Sequence, residues 1–207
     1  MIKDSISKLV MSHDLTDEEA RSSMEEIMSG NIPDSQISSF LTALRMKGET
    51  ISEIAAFAEV MRSFSLKINP QTNPPIFDIV GTGGDLIKTF NVSTVSAMVI
   101  SGSGVTVAKH GNRSFTSKCG SADVLELAGV NINPDLKTVQ NCIEQEGIGF
   151  LFAQKFHPAM KNVASVRREI GLRTIFNILG PITNPAGVTH LLVGVYDPSL
   201  VDLICNS

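Results

Sequence analysis

Residues 68–75 read INPQTNPP, with three prolines and no apolar period. Proline fixes φ and removes a backbone donor, so this stretch is excluded from helix interiors and central strands and reads as a linker or hinge. It divides the chain into two kinds of pattern. Before it, Thr16 and Glu19 form a capping-box pair, followed by Ala20, Met24, Ile27 and Met28 at helical spacing. Gly30-Asn31 ends that helix, and Pro33 is expected in the first turn of the next, whose stripe is Ile37, Phe40, Leu41 and Leu44. Thr50 and Glu53 repeat the box ahead of Ile54, Phe57, Ala58 and Met61. Residues 1–70 are therefore expected to be a small helical domain, either scaffold or oligomer face.

After the break, short apolar runs alternate with helical patterns. Residues 76–80, 105–108, 148–152 and 190–195 read as strands; 92–101, 121–128, 134–146 and 158–170 read as helices. A last helix is expected to be capped by Asp197, with Pro198 at its first position. The alternation predicts an α/β domain over 71–207, a mostly parallel sheet with crossover helices.

Composition narrows the class of function. With 43% hydrophobic residues among 207, the chain can bury a core, which excludes a disordered tail. Its longest apolar stretches, 95–100 and 148–153, fall far short of the ~20 residues that cross a bilayer, so no membrane partner is expected. The N-terminus has no signal-like apolar block, and Cys119, Cys142 and Cys205 have neither metal spacing nor even number. A cytoplasmic location is expected. The net charge of −4 argues against non-specific nucleic-acid binding but leaves room for a local basic pocket.

Residues 78–94, DIVGTGGDLIKTFNVST, carry the strongest chemical signal. A strand runs into Gly81-Thr82-Gly83-Gly84-Asp85, and Asn91–Thr94 opens a helix. Glycines let main-chain amides approach a ligand, and the helix N-terminus offers unpaired N–H groups that attract phosphate. Leu86 stands where both the dinucleotide fingerprint and the Walker loop require glycine, so neither motif applies. Residues 109–121, KHGNRSFTSKCGS, place Lys109, Arg113 and Lys118 among Asn112, Ser114, Thr116, Ser117 and Ser121 after a second strand. A cationic, hydroxyl-rich loop in an acidic protein suits a polyanionic small molecule. Ligands of open α/β sheets bind outside the carboxyl ends of strands, where both loops are expected.

In the helix after Pro158, spacing does not decide whether Arg167 or Arg168 faces inward. His157 has three readings: helix cap, satisfied core imidazole, or substrate donor. No zinc-ligand spacing and no nucleophile elbow is present.

In chain order, GTGGD, NVST, KHGNR with KCGSADVLE, and VRREIGLRTIFNILGPITNP resemble the anthranilate phosphoribosyltransferases of tryptophan biosynthesis. That resemblance covers essentially the whole chain and implies a reaction. The amine of anthranilate displaces diphosphate from C1 of 5-phosphoribosyl 1-diphosphate (PRPP). It implies PRPP contacts at Gly81, Gly84, Asp85, Thr89, Asn91, Val92, Ser93, Thr94, Lys109 and Ser121, with Ser93 also reaching a magnesium ion. Toward anthranilate it implies Gly81, Asn112 and Arg167, the last answering the carboxylate, with Ala153, His157 and Gly180 lining the acceptor's route. No catalytic acid or base is assigned; charge stabilisation and positioning are to do the chemistry. A homodimer through the N-terminal helices is also expected.

One departure from the family concerns length. Its chains are longer, and the Asp-Glu pair that holds magnesium lies beyond the equivalent of residue 207; Asp17-Glu18, the one such step here, sits in an N-terminal helix. Impaired or absent catalysis is therefore expected from these residues alone, together with uncovered apolar sheet surface. The alternative readings are a non-catalytic dimerising fragment and a pyrimidine nucleoside phosphorylase relative. The phosphorylases share the architecture but lack anything like KHGNR.

Overall fold

The structure is a computed structural model and describes residues 1–73, 75–83, 90–114 and 119–207. Four helices come first: α1 (Ile2–Val10), α2 (Asp17–Ser29), α3 (Asp34–Lys47) and α4 (Ile51–Ser63). Then follow β1 (Ile76–Gly81), α5 (Val92–Gly102), β2 (Thr106–Gly111), α6 (Ser121–Leu127), α7 (Leu136–Glu146) and β3 (Ile148–Phe152). The chain continues through α8 (Ala153–Phe156), a 3₁₀ turn (Pro158–Met160), α9 (Lys161–Ile170) and α10 (Phe176–Ile182). It ends with β4 (His190–Gly194) and α11 (Leu200–Cys205).

These elements form two compact units that do not follow chain order. One comprises 1–65, 157–183 and 199–207, the other 66–156 and 184–198. The helical unit takes in α9, α10 and α11 from later in the chain.

In the helical unit both capping boxes are formed. Thr16 and Thr50 accept from the amides of Glu19 and Glu53, whose carboxylates accept from the threonine amides in return. Gly30 closes α2 in the left-handed conformation. Pro33 is the N-cap of α3 rather than its first residue, because its ψ of 143 is extended. Phe40 and Phe57 are wholly buried and meet edge-to-face at 6.2 Å, each contributing roughly 2–3 kcal/mol of burial. Asn162 of α9 donates to the Met28 carbonyl, and Arg62 of α4 donates to that of Ile182 in α10.

The other unit is built on a parallel four-stranded sheet of order β3-β2-β1-β4. Two crossovers lead outward from β1 to β2 and β3, and the chain then returns to pair β4 with the opposite edge of β1. The winding therefore reverses at β1, the kind of place where open α/β sheets bind ligands. Its core joins Ile76, Ala108, Val139, Ile143, Leu151 and Phe156. At the edge β4 leaves Leu191 and Leu192 exposed, and α5 leaves Val95, Met98 and Val99 exposed. The last helix begins at Leu200 with Ser199 as its N-cap, not at Pro198. Proline, having no amide to donate, occupies the turn that precedes it.

Candidate functional site

Because all four strands are parallel, the segments after β1 and β2 leave the same edge of the sheet. At the tip of β1, Gly81 pairs with Gly194 of β4, so no side chain stands there. Thr82 holds the edge together: its amide donates to the Gly194 carbonyl at 2.9 Å, and its hydroxyl accepts from the Tyr196 amide at 3.3 Å. Gly83 then turns with φ +69, a conformation that side chains rarely adopt.

The central feature is a lysine in a buried strand. β2 is buried along nearly its whole length, yet it carries Lys109, which is 3% exposed. The ammonium donates to the Ile79 carbonyl of β1 at 2.7 Å and lies 3.5 Å from the Ser93 hydroxyl in the first turn of α5. Both acceptors are neutral. Burial lowers the Lys109 pKa, opposed by the charge of Asp78. Asp78, on β1, is fully buried. Loss of water pushes its pKa up to about 6 against the pull of Asn184, Lys109 and the His110 amide. Asn184 donates to the Asp78 carboxylate and to the Ala108 carbonyl, both at 2.8 Å, while the His110 amide donates to Asp78 at 3.2 Å. Sequence reasoning assigned no role to Asp78 or Asn184. The available signal was a charged residue inside the apolar run 76–80.

The two tips are physically joined. Asn91 is the N-cap of α5, but its side chain makes no cap bond. Instead its Nδ2 donates at 3.1 Å to the Cys119 carbonyl, in the segment after β2. The Val92 amide donates to the Phe90 carbonyl and the Thr94 amide to that of Asn91, so it is the Ser93 amide, without the usual side-chain cap, that is suited to an anion. Beside it, Thr94 is 2% exposed, and its hydroxyl has no partner among the described residues. A buried hydroxyl in that state costs free energy unless something binds it.

Of the residues singled out above, Gly81, Asn91, Val92, Ser93, Thr94, Lys109, Asn112, Ser121 and Ala153 belong to the sheet unit. Ser121 is the first residue of α6, and its Cβ lies against Gly111 at the tip of β2. His157, Arg167 and Gly180 belong to the helical unit. Gly84, Asp85, Thr89, Thr116, Ser117 and Lys118 lie outside the described residues. The structure corrects the sequence reading of Arg113. Its guanidinium is bound by Asp123 and by both oxygens of Glu126, and stacks 5.8 Å from the Phe152 ring centroid. Two carboxylates already neutralise it, so it is not a spare cation for a polyanion.

In the helical unit His157 is buried and stands as the N-cap of the 3₁₀ turn, though its side chain makes no cap bond. Burial lowers its pKa to about 4 despite a contact with the Thr183 backbone, so the ring is neutral at pH 7. Arg167 is half-buried, lies 5.4 Å over the Phe176 ring, and has its pKa lowered by burial.

A hollow of about 670 Å³ lies at the other end of the sheet, around Thr106 and Gly147. Its lining includes Glu144 and Glu146 and no lysine or arginine, which disfavours anions there. Among the described residues, no cluster of three or more His, Cys, Asp or Glu is placed to hold a metal, and no helix is long and apolar enough to cross a membrane.

Residues 73–207 match the α/β domain of a glycosyl transferase family and residues 3–65 match its helical bundle domain; the chain belongs to this family. Over 207 residues it is 56% identical to the anthranilate phosphoribosyltransferase of Dehalococcoides mccartyi, covering 100% of this chain and 60% of that protein. The crystal structure of anthranilate phosphoribosyltransferase from Thermus thermophilus matches with a TM-score of 0.93 at 43% identity, over 98% of this chain and 61% of that one. The Saccharomyces cerevisiae enzyme in complex with PRPP and Mg matches at 0.90 and 32% identity, over 99% and 61%. The chain spans about 60% of the length of the curated relatives it matches.

Proposed function

We propose that this chain serves anthranilate phosphoribosyl transfer in tryptophan biosynthesis, binding PRPP at the strand tips and directing the amine of anthranilate to C1 of the ribose. The observation that carries the reading is Lys109: a buried ammonium held against neutral acceptors, next to an uncapped helix N-terminus and the unpartnered Thr94 hydroxyl. A charge kept dry at such a cost fits an anionic ligand that completes its pairing.

As the C1–O bond breaks, negative charge gathers on the departing diphosphate. Lys109, Ser93, Thr94 and the Ser93 amide at the start of α5 are fixed donors for that charge and need no reorganisation as it develops. Asn91, tied to Cys119, keeps the helix start in register with the second segment. By the family resemblance, Arg167 is proposed to answer the anthranilate carboxylate, and Gly81, Asn112, Ala153, His157 and Gly180 are proposed as further anthranilate contacts. His157, neutral at pH 7, adds no charge that would compete for that carboxylate.

Magnesium fits the donor set in a limited sense. The Ser93 hydroxyl is a suitable single oxygen ligand, and the described residues hold no metal cluster. When bound beside the diphosphate, the ion would neutralise part of its charge. We further assign the protein to the cytoplasm and to a homodimer through its N-terminal helices, where Val10, Met11 and Met46 are exposed.

Calorimetric titration with magnesium and PRPP tests this reading. Saturable heat is expected, dependent on the metal. No heat from a chain shown to be folded would favour the inert dimerising fragment. Release of free base from a nucleoside in phosphate buffer would favour the phosphorylase. Fluorescence of the anthranilate product would show transfer itself.

A further inference from the structure

We propose that Asp123 is a positioning residue for the phosphate site: its carboxylate fixes the two ends of the segment between β2 and α6 against each other. One oxygen accepts from the Ser114 amide at 3.1 Å and from the Gly120 amide at 2.8 Å. The other accepts from Arg113 at 2.8 Å, and Glu126 holds the same guanidinium. This inference rests on the PRPP reading above.

The ordinary role for such a carboxylate is local. Asp123 is the third residue of α6 and caps that helix through Gly120. The bond to Ser114 goes further, since Ser114 lies on the far side of the segment and contributes nothing to α6. The packing agrees. A Cβ on Gly120 would collide with the Ser114 amide and stand 2.7 Å from the Asn112 carbonyl, so the two ends approach too closely for any side chain there. The Ala122 amide adds a bond to that same Asn112 carbonyl at 3.2 Å.

What is fixed in this way is the neighbour of Gly120. The Cys119 carbonyl is the acceptor that draws the Asn91 side chain away from capping α5. If Cys119 moves, Asn91 is free to turn back onto the Ser93 amide at the start of α5 and compete with a phosphate for it. Asp123 thus acts on the phosphate site through Cys119 and Asn91, without touching ligand.

Two substitutions separate this role from helix capping. Asp123→Glu keeps a carboxylate of the kind preferred at the third position of a capping box, but displaces it by one carbon from Ser114. Asp123→Asn keeps one oxygen for the two amides and leaves Arg113 to Glu126. Magnesium-PRPP affinity is measured by calorimetry on the 207-residue chain. The Cys119 thiol reaction rate is measured in parallel in a Cys142→Ser, Cys205→Ser background.

Positioning predicts that Asp123→Glu binds PRPP about tenfold more weakly and exposes the thiol to faster reaction, while Asp123→Asn stays within about threefold of the parent. A role in capping alone predicts that Asp123→Glu matches the parent, and an affinity within about twofold overturns the proposal. Should the parent itself bind no PRPP, the functional reading fails instead. The thiol rate then decides the clamp alone, an unchanged rate in Asp123→Glu counting against it.

Discussion

Each unit buries one lysine near one carboxylate, and the two arrangements are opposites. In the helical unit Glu53 is wholly enclosed and accepts from the amides of Leu15 and Thr50 and from Lys47 at 2.9 Å, while Lys47 also pairs with Asp14 at 2.7 Å. Burial pulls the Lys47 pKa down, but the bonds from Asp14 and Glu53 outweigh it and hold the pKa above its ordinary value. In the sheet unit Lys109 donates to a carbonyl and faces a hydroxyl, and its pKa falls, while the Asp78 pKa rises. The first set is closed and serves the fold. In the second, neither charge is neutralised by direct contact among the described residues, which leaves a cation for a ligand to complete. Burial alone does not separate structural charges from functional ones; the completeness of their pairing does.

The sharpest way to break that contrast is one substitution made at both lysines. Lys47→Met strands Glu53 as a buried charge and is expected to cost about 3 kcal/mol in urea unfolding. Lys109→Met should leave stability unchanged or higher, weaken magnesium-PRPP binding by roughly thirtyfold, and raise the Asp78 midpoint further. Equal stability losses at the two positions would sink the distinction.

Acid sharpens it next, because the buried titratable groups of the two units have opposite signs. His157 has a lowered pKa, so between its ordinary 6.5 and about 4 the unfolded chain binds the proton first and stability falls as pH falls. His157→Gln should recover up to about 3 kcal/mol of that loss near pH 4. The Asp78 pKa is raised from 3.8 to about 6, so its contribution is fully present below 3.8 and is lost as pH rises through 6. A carbon NMR titration should place the Asp78 carboxyl midpoint near 6; an ordinary carboxylate midpoint would remove the sheet unit's half of the comparison. The smallest effect is expected at Thr16→Ala, which removes one cap from the helical unit at about 1 kcal/mol and leaves PRPP binding untouched.

Local chemistry made much of this molecule legible. Thr16 with Glu19, and Thr50 with Glu53, announce helix starts because a capping box is complete within four residues. Strand β3 was legible as an apolar run over 148–152. Relations made at a distance were not legible. Glu53 reads as a capping residue, and nothing in its neighbourhood says that Lys47 and the Leu15 amide will close around its carboxylate. Arg113 reads as a free cation because Glu126 lies outside the loop that carries it. Lys109 stands out together with its loop, but its meaning depends on Ile79 and Ser93, which the sheet alone brings near it. The helical period of residues 161–170 was visible, but not which unit that helix would join.

That last point bears on how the protein is made. The Met28 carbonyl waits for a side chain 134 residues further along, and Arg62 for a carbonyl 120 residues away. A ribosome adding about 5–20 residues per second needs on the order of ten seconds to deliver them. During that interval the opening helices emerge with part of their apolar surface bare. Their unit is complete only when α9, α10 and α11 have been delivered, and a gene cut at the proline-rich break would lack those three helices.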